Sequence, residues 1–354
     1  MRLIRIVILV LLVISGVYYL LDEYKLLPDG TVEDLNHTLK QKDSKLETKE
    51  IPTERSAMPY AGDIFQWVGK EADALTEKFG KPKRKDLSTY GYEWWVYTDG
   101  KENYIQFGID NNTVKTLYAA GSGLSLDPIQ MGQNYDSVKE KLSFSKEVTY
   151  SKDFSSFSFQ LSDEERAARP LVKVTDNIFM QLYFDTYTNK LTGVRVLTGD
   201  ILLLHRPYKM KYRGDLPEKP AATESEQEQI DTGMEQQIFH LTNVFRNQHG
   251  KQKLKWDDTV RDVAYIHSKD MAENNYFSHY GKDGNGLKER LASKEVAYMS
   301  AGENIAAQYP DAQAAMHGWL NSEGHREALL KNDYTHLGTG VYKSYYTQNF
   351  VKKQ

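Results

Sequence analysis

Between His267 and His336 the chain carries five of its nine histidines, and two of these follow a serine: Ser278 directly before His279, and Ser322 shortly before His325. Hydroxyl and imidazole are the residue types of a nucleophile and its general base. Neighbours in sequence seldom form that pair, because the base has to approach the hydroxyl in the right geometry. The local signatures of hydrolytic chemistry are missing as well: there is no H-E-x-x-H helix, no G-x-S-x-G elbow and no pair of carboxylates at local spacing. The chain has no cysteine, which excludes a thiol nucleophile, a thiolate zinc site, a disulfide and a cysteine lipid anchor. Chemistry would have to come from histidines and carboxylates that only the fold brings together.

The elements that would do so are legible from residue 232 onward. Ile238, Leu241 and Phe245 recur at helical spacing, with Gly250 past the end of the run. Asp257-Asp258 can cap a second helix, whose apolar face runs Val260, Val263, Ala264, His267 and Met271. His267 on that face is expected to be a satisfied core histidine. Pro310-Asp311 opens a helix through Trp319, and His317, two positions from that tryptophan, is expected at the surface. The end alternates as two strands, 336–342 and 345–350, and His336 opens the first in a structural role. Gly338 and Gly340 are expected to permit close backbone packing, and Lys251, Lys253 and Lys255 to form a solvated loop. Helices followed by terminal antiparallel strands predict an α-β-α sandwich over 232–354.

Two polar stretches, 28–58 and 206–231, read as a stalk and a linker and delimit a first domain at 59–205. That domain contains a weak repeat at an offset of 63: Gly69, Asp73, Leu75 and Phe79 line up with Gly132, Asp136, Val138 and Leu142. Each unit predicts a short helix followed by three aromatic, alternating strands, with both units sharing one sheet in an α+β architecture. Trp94-Trp95 lies within one such strand, with one ring expected in the core and one at the surface. The overall fold class is α+β.

At the N-terminus, Ile6–Leu21 is apolar apart from Ser15, Gly16 and two tyrosines, follows Arg2 and Arg5, and precedes Asp22 and Glu23. Such flanks favour a retained anchor helix within 1–27, with the remainder outside the cytoplasm at the cell membrane. Cleavage of 1–27 as a signal segment, and secretion, is the alternative; the run ends Val17-Tyr18-Tyr19-Leu20-Leu21, without the small residues of a cleavage site. With a net charge of −4, and 15 basic against 14 acidic residues in 233–354, no nucleic-acid partner is expected.

Several ordered motifs then carry a resemblance. They are Asn243 to Arg246, His267-x-x-x-Met271, Phe277-Ser278-His279, Gly302-Glu303-Asn304, the tryptophan Trp319 followed by Gly324-His325, and the closing Tyr346-Thr347-Gln348 strand. Over 236–351 the chain resembles the CAP family (cysteine-rich secretory proteins, antigen 5, pathogenesis-related 1) in its bacterial, cysteine-free form. Residues 59–205 are similar to the module associated with this family in spore-forming Gram-positive bacteria. The resemblance implies an α-β-α sandwich with a cleft lined by histidines and acidic residues, and by position His279, Glu303 and His325 are the cleft candidates. Glu323 stands where bacterial members usually have proline, which makes it either a further candidate cleft carboxylate or merely an exposed surface charge. A helix cap is the alternative reading of Glu303. On this resemblance His279, His325 and Glu303 could supply three ligands to zinc, leaving a fourth position for water. The expected function is a binding module for a lipid, glycan or peptide of the cell envelope; the alternative is a metal-dependent hydrolase of envelope material with Glu323 as base. A purely structural envelope protein is a third reading.

Overall fold

A computed structural model describes residues 65–121 and 125–353. The expected anchor or signal segment, 1–27, and the stalk, 28–58, lie outside the described residues.

In chain order the first half contains helix α1 (Ala72–Phe79), strands β1 (Arg84–Leu87), β2 (Glu93–Thr98), β3 (Asn103–Asp110) and β4 (Thr113–Gly121), and the short hairpin β5 (Ser125–Leu126) and β6 (Ile129–Gln130). It continues with α2 (Tyr135–Lys141), β7 (Glu147–Lys152), β8 (Ser155–Gln160), α3 (Asp163–Ala168), β9 (Leu171–Lys173), β10 (Ile178–Asp185), β11 (Lys190–Thr198), α4 (Gly199–His205) and β12 (Lys209–Arg213). Seven strands make one antiparallel sheet in the order β1-β2-β3-β4-β11-β10-β9. The repeat has a three-dimensional counterpart. Gly69 N donates to Val114 O and Gly132 N to Leu191 O, both at 2.8 Å, and both glycines have positive φ, 94° and 78°. The helices that follow bury Leu75 and Val138 in the same apolar cluster. Five of the six expected strands share the sheet. The sixth, the first strand of the second unit, instead gives β8, which pairs with β7 and β12 in a separate three-stranded sheet. Trp94 is buried, while half-buried Trp95 lies under the Lys85 ammonium at 3.9 Å.

Residues 206–231, read above as a linker, hold β12 and the first turns of a 25-residue helix, α5 (Glu224–Gln248). A capping box starts the helix: Glu226 N donates to Thr223 Oγ1 and Thr223 N to Glu226 Oε2. The Glu224–Glu228 run resembles linker only because these turns face solvent, until Ile230 meets the core.

Then come β13 (Lys255–Trp256), α6 (Asp258–Glu273), α7 (Leu287–Ser293), β14 (Ser300–Ala307), α8 (Ala312–Leu320), α9 (Glu323–Leu330), β15 (His336–Tyr342) and β16 (Tyr345–Lys352). Their sheet runs β13-β15-β16-β14. Asp257 caps α6 and Asp311 caps α8, each accepting a backbone N–H at 3.0 Å. Helix α6 lies so close to β15 that a Cβ on Gly338 would stand 2.1 Å from Arg261 N, and one on Gly340 2.0 Å from Tyr265 N. On the opposite face Thr339 Oγ1 donates to Glu235 O of α5 at 2.8 Å. Helix, sheet and helix thus form the expected sandwich.

One apolar cluster continues through both halves, joining Tyr104, Tyr118 and Phe159 to Phe245, Trp319 and Phe350. Polar groups cross it too: Arg195, 1% exposed, pairs with Asp311 at 2.6 Å. His317 is a correction to the expected surface residue, since it is 4% exposed, bonded to Tyr118 Oη at 2.7 Å and stacked on Tyr183 at 4.1 Å. Its helix face turns away from its own sheet and is covered by the first half of the chain, a partner no periodicity within α8 could reveal.

Candidate functional site

His279 lies in the loop after α6, and the turn that presents it is pinned from below. Buried His267 donates from Nε2 to Ser278 O at 3.0 Å, so the core histidine fixes the Phe277-Ser278-His279 turn. Burial holds the His267 pKa below its ordinary value, and Arg290 adds to this although Glu303 opposes it.

Glu303 comes from β14, opposite Asn349 of β16. The helix-cap reading of Glu303 is corrected here, because 300–307 is a strand. Its side chain is 4% exposed and both oxygens are engaged. His279 Nδ1 donates to Oε1 at 2.9 Å, and Arg290 Nη2, from α7, donates to Oε2 at 2.6 Å. Asn349, with its amide in the hydrogen-bonding orientation, adds a donor to Oε2 at 3.0 Å. Burial alone would raise the carboxyl pKa. The His279 hydrogen bond and the charges of Arg290 and His267 outweigh it, so Glu303 stays ionised below the ordinary range. With Nδ1 committed to Glu303, His279 turns Nε2, which has no hydrogen-bond partner among the described residues, outward on a half-exposed ring.

Arg290 is the residue the sequence reading missed. Besides Glu303 it donates to the carbonyls of His279, at 3.0 Å, and Asn285, at 3.1 Å. It therefore ties the glycine-bearing loop 281–286 to both members of the pair. An Arg within a short helix carries no signal of this; the motif neighbours do not include it.

A cavity of about 460 Å³ opens beside the pair, lined by His279, Tyr280, Leu287, Lys288, Glu289 and Glu303. Tyr280 is 64% exposed and Phe277, near the rim in sequence, 50%. His325, on α9, does not line this cavity. Its Nδ1 bonds Ser322 Oγ at 2.8 Å and its carbonyl accepts from Asn304 Nδ2 at 3.0 Å. Burial pushes its pKa down to about 4, with the His279 charge adding to the shift, so it is neutral at neutral pH. Glu323 is exposed in the first turn of α9, and among the described residues its side chain has no hydrogen bond or ion pair. Its neighbour Arg326 grips Asp185 at the end of β10 through both Nη atoms, at 2.9 Å each, which fastens α9 to the first half of the chain.

Zinc does not fit this arrangement. Glu303 already neutralises a guanidinium at 2.6 Å and accepts from His279, and His325 Nδ1 is turned to Ser322. Among the described residues no three His, Asp or Glu side chains stand together as a metal site. What the pair can do is present an oriented imidazole nitrogen and a ring of polar groups to a ligand in the open cavity.

Comparison with known proteins agrees with this architecture. The family described as CAP-associated N-terminal matches residues 68–208, and the family described as CAP, cysteine-rich secretory protein family, matches 239–352. A Bacillus subtilis (strain 168) protein named uncharacterized membrane protein YlbC is 42% identical over 344 residues, covering 97% of each chain. A crystal structure of an extracellular protein containing a SCP domain from Bacillus anthracis str. Ames superposes with a TM-score of 0.78 at 41% identity, covering 87% of this chain and all of that one. A cysteine-rich secretory protein from Staphylococcus aureus subsp. aureus Mu50 gives 0.70 at 25% identity, over 83% and 96% of the two chains. The chain therefore belongs to the CAP family, with its CAP domain preceded by a CAP-associated N-terminal domain.

Proposed function

We propose that the protein is tethered to the cell membrane through residues 1–27, holds its folded part outside the cytoplasm, and uses the CAP cleft to bind a polar envelope ligand, a glycan or glycopeptide. The apolar run Ile6–Leu21 behind Arg2 and Arg5 supports the tether, as does the membrane-protein name of the B. subtilis relative. Among the described residues no helix is long and apolar enough to cross a membrane.

The observation that carries the binding reading is the lining of the cavity. Imidazole, ammonium and carboxylate groups surround an exposed Tyr280 ring, which suits a hydroxyl- and amide-bearing ligand and offers little apolar wall to an acyl chain. Calorimetric titration of the full chain with muropeptides released from cell wall by lysozyme tests it, beside His279→Ala and Tyr280→Ala variants. Saturable binding weakened about ten-fold or more in both variants supports the reading, and heats that are the same in all three oppose it.

One observation favours hydrolysis as a second reading. Glu303 orients His279 through Nδ1, leaving Nε2 able to take a proton from water as a general base. Cleavage of the muropeptides by the wild type, absent in His279→Ala, would select that reading over binding alone.

A further inference from the structure

The β12-β8-β7 sheet has two unlike faces. Val148, Tyr150, Phe157, Phe159 and Met210 pack into the core. The register places Lys209, Lys211 and Arg213 of β12 on the other face, beside Gln160, Ser158 and Ser156 of β8. All three cations are exposed, and none has an ion pair or side-chain hydrogen bond among the described residues. They are spaced every second residue, about 7 Å apart. Glu147 shares the face but lies two strands away, roughly 10 Å, and is engaged by Ser158 Oγ at 2.6 Å. Lys152 nearby is already paired with Asp200.

The same sheet carries the most exposed large apolar side chain among the described residues, Phe154 at 94%. It sits at the tip of the β7–β8 hairpin, where Lys152 pairs with Ser155 across the turn. The register of Arg213 with Ser156 puts the end of the basic strand at that same tip. Asp153 and Asp215 flank the tip in sequence and reduce its net charge. Phe154 has no packing role in the fold, and an aromatic ring held in water beside unpaired cations is the arrangement that enters a lipid interface over anionic headgroups.

We infer that this face docks the folded part of the protein on an anionic bilayer, with Phe154 entering the interface while Lys209, Lys211 and Arg213 meet lipid phosphates. The surface is separate from the cleft, so its failure leaves the cleft reading untouched. Docking of this kind is weak alone and becomes substantial when a tether raises the local concentration.

The native chain has no cysteine, so Ser156→Cys gives a single labelling site on the exposed face. The full chain, labelled there with an environment-sensitive fluorophore, is incorporated into nanodiscs of phosphatidylcholine alone or mixed equally with phosphatidylglycerol, some containing spin-labelled lipid. The expected result is a blue shift and lipid quenching only with phosphatidylglycerol. Each of Lys209→Gln, Lys211→Gln and Arg213→Gln should lower the docking equilibrium about five-fold, and Phe154→Ser about ten-fold. Circular dichroism establishes that each variant is folded. Absence of quenching, or equal quenching in both lipids unaffected by the variants, overturns the proposal. A shift with soluble polyphosphate but none with either bilayer overturns it in favour of an anionic polymer.

Discussion

Arg290 Nη2 lies 2.6 Å from Glu303 Oε2, while the other oxygen of that carboxylate receives the His279 Nδ1 proton at 2.9 Å. The cleft histidine is thus aimed by a carboxylate that is itself held in its charged form by that hydrogen bond and by a guanidinium from helix α7. Arg290→Ala leaves Glu303 buried and short of a counter-charge, which should destabilise the fold by about 3 kcal/mol. Adding Glu303→Gln should recover much of that loss. Urea unfolding of the two variants measures both effects, and equal stability of Arg290→Ala and wild type would contradict the assigned role.

Asp185 accepts from both Arg326 Nη atoms and from His249 Nε2, and these bonds hold its pKa well below the usual carboxylate range against the opposing effect of burial. A depressed pKa contributes stability that is complete above the unfolded value near 4 and is lost as pH falls through the folded one. Thermal midpoints of the wild type should therefore drop on acidification below pH 4. Asp185→Asn should be less stable at neutral pH and show a shallower acid limb. Parallel acid limbs for the two proteins would remove Asp185 from the account.

Asp231 has the opposite sign. Burial raises its pKa to about 6, although Gln227 and the Lys343 N–H partly compensate. A carboxyl with a raised folded pKa takes up protons on folding, so its contribution falls as pH rises from about 4 to 6. At pH 7 the ionised group costs up to about 3 kcal/mol, two pKa units at 1.36 kcal/mol each. Asp231→Asn should stabilise the protein at pH 7 and do little at pH 4, as read from denaturant midpoints at both values.

Zinc titration separates the cleft from a metal centre. Because Glu303 is committed to Arg290 and His279, the wild type and a His279→Ala/His325→Ala double variant should bind zinc equally weakly. Tight one-to-one binding lost only in the double variant would show that the pair rearranges around a metal.

Much of this site was legible in the chain because its motifs are short and ordered. The Phe277-Ser278-His279 and Gly302-Glu303-Asn304 motifs named the two residues that meet at 2.9 Å. The alternating end of the chain named the strands, and Gly338 and Gly340 the close helix approach. Long-range partners left no local trace. Arg290 reaches Glu303 from 13 residues away, Arg326 reaches Asp185 from 141, and His317 reaches Tyr118 from 199. Polarity misled in one further place: the exposed turns of α5 have the composition of a linker because they have no core to face. His325 carried the same kind of motif signal as His279, yet its Nδ1 turns to Ser322 and it stays off the cavity wall.

The most direct test of a binding cleft is equilibrium dialysis of the full chain against a lysozyme digest of cell wall, beside His279→Ala, with mass spectrometry of both compartments at the start and after a day. The account predicts that particular muropeptides accumulate, intact, on the side of the wild type and that the variant retains several-fold less. Equal partitioning with both proteins would contradict the cleft as a binding site.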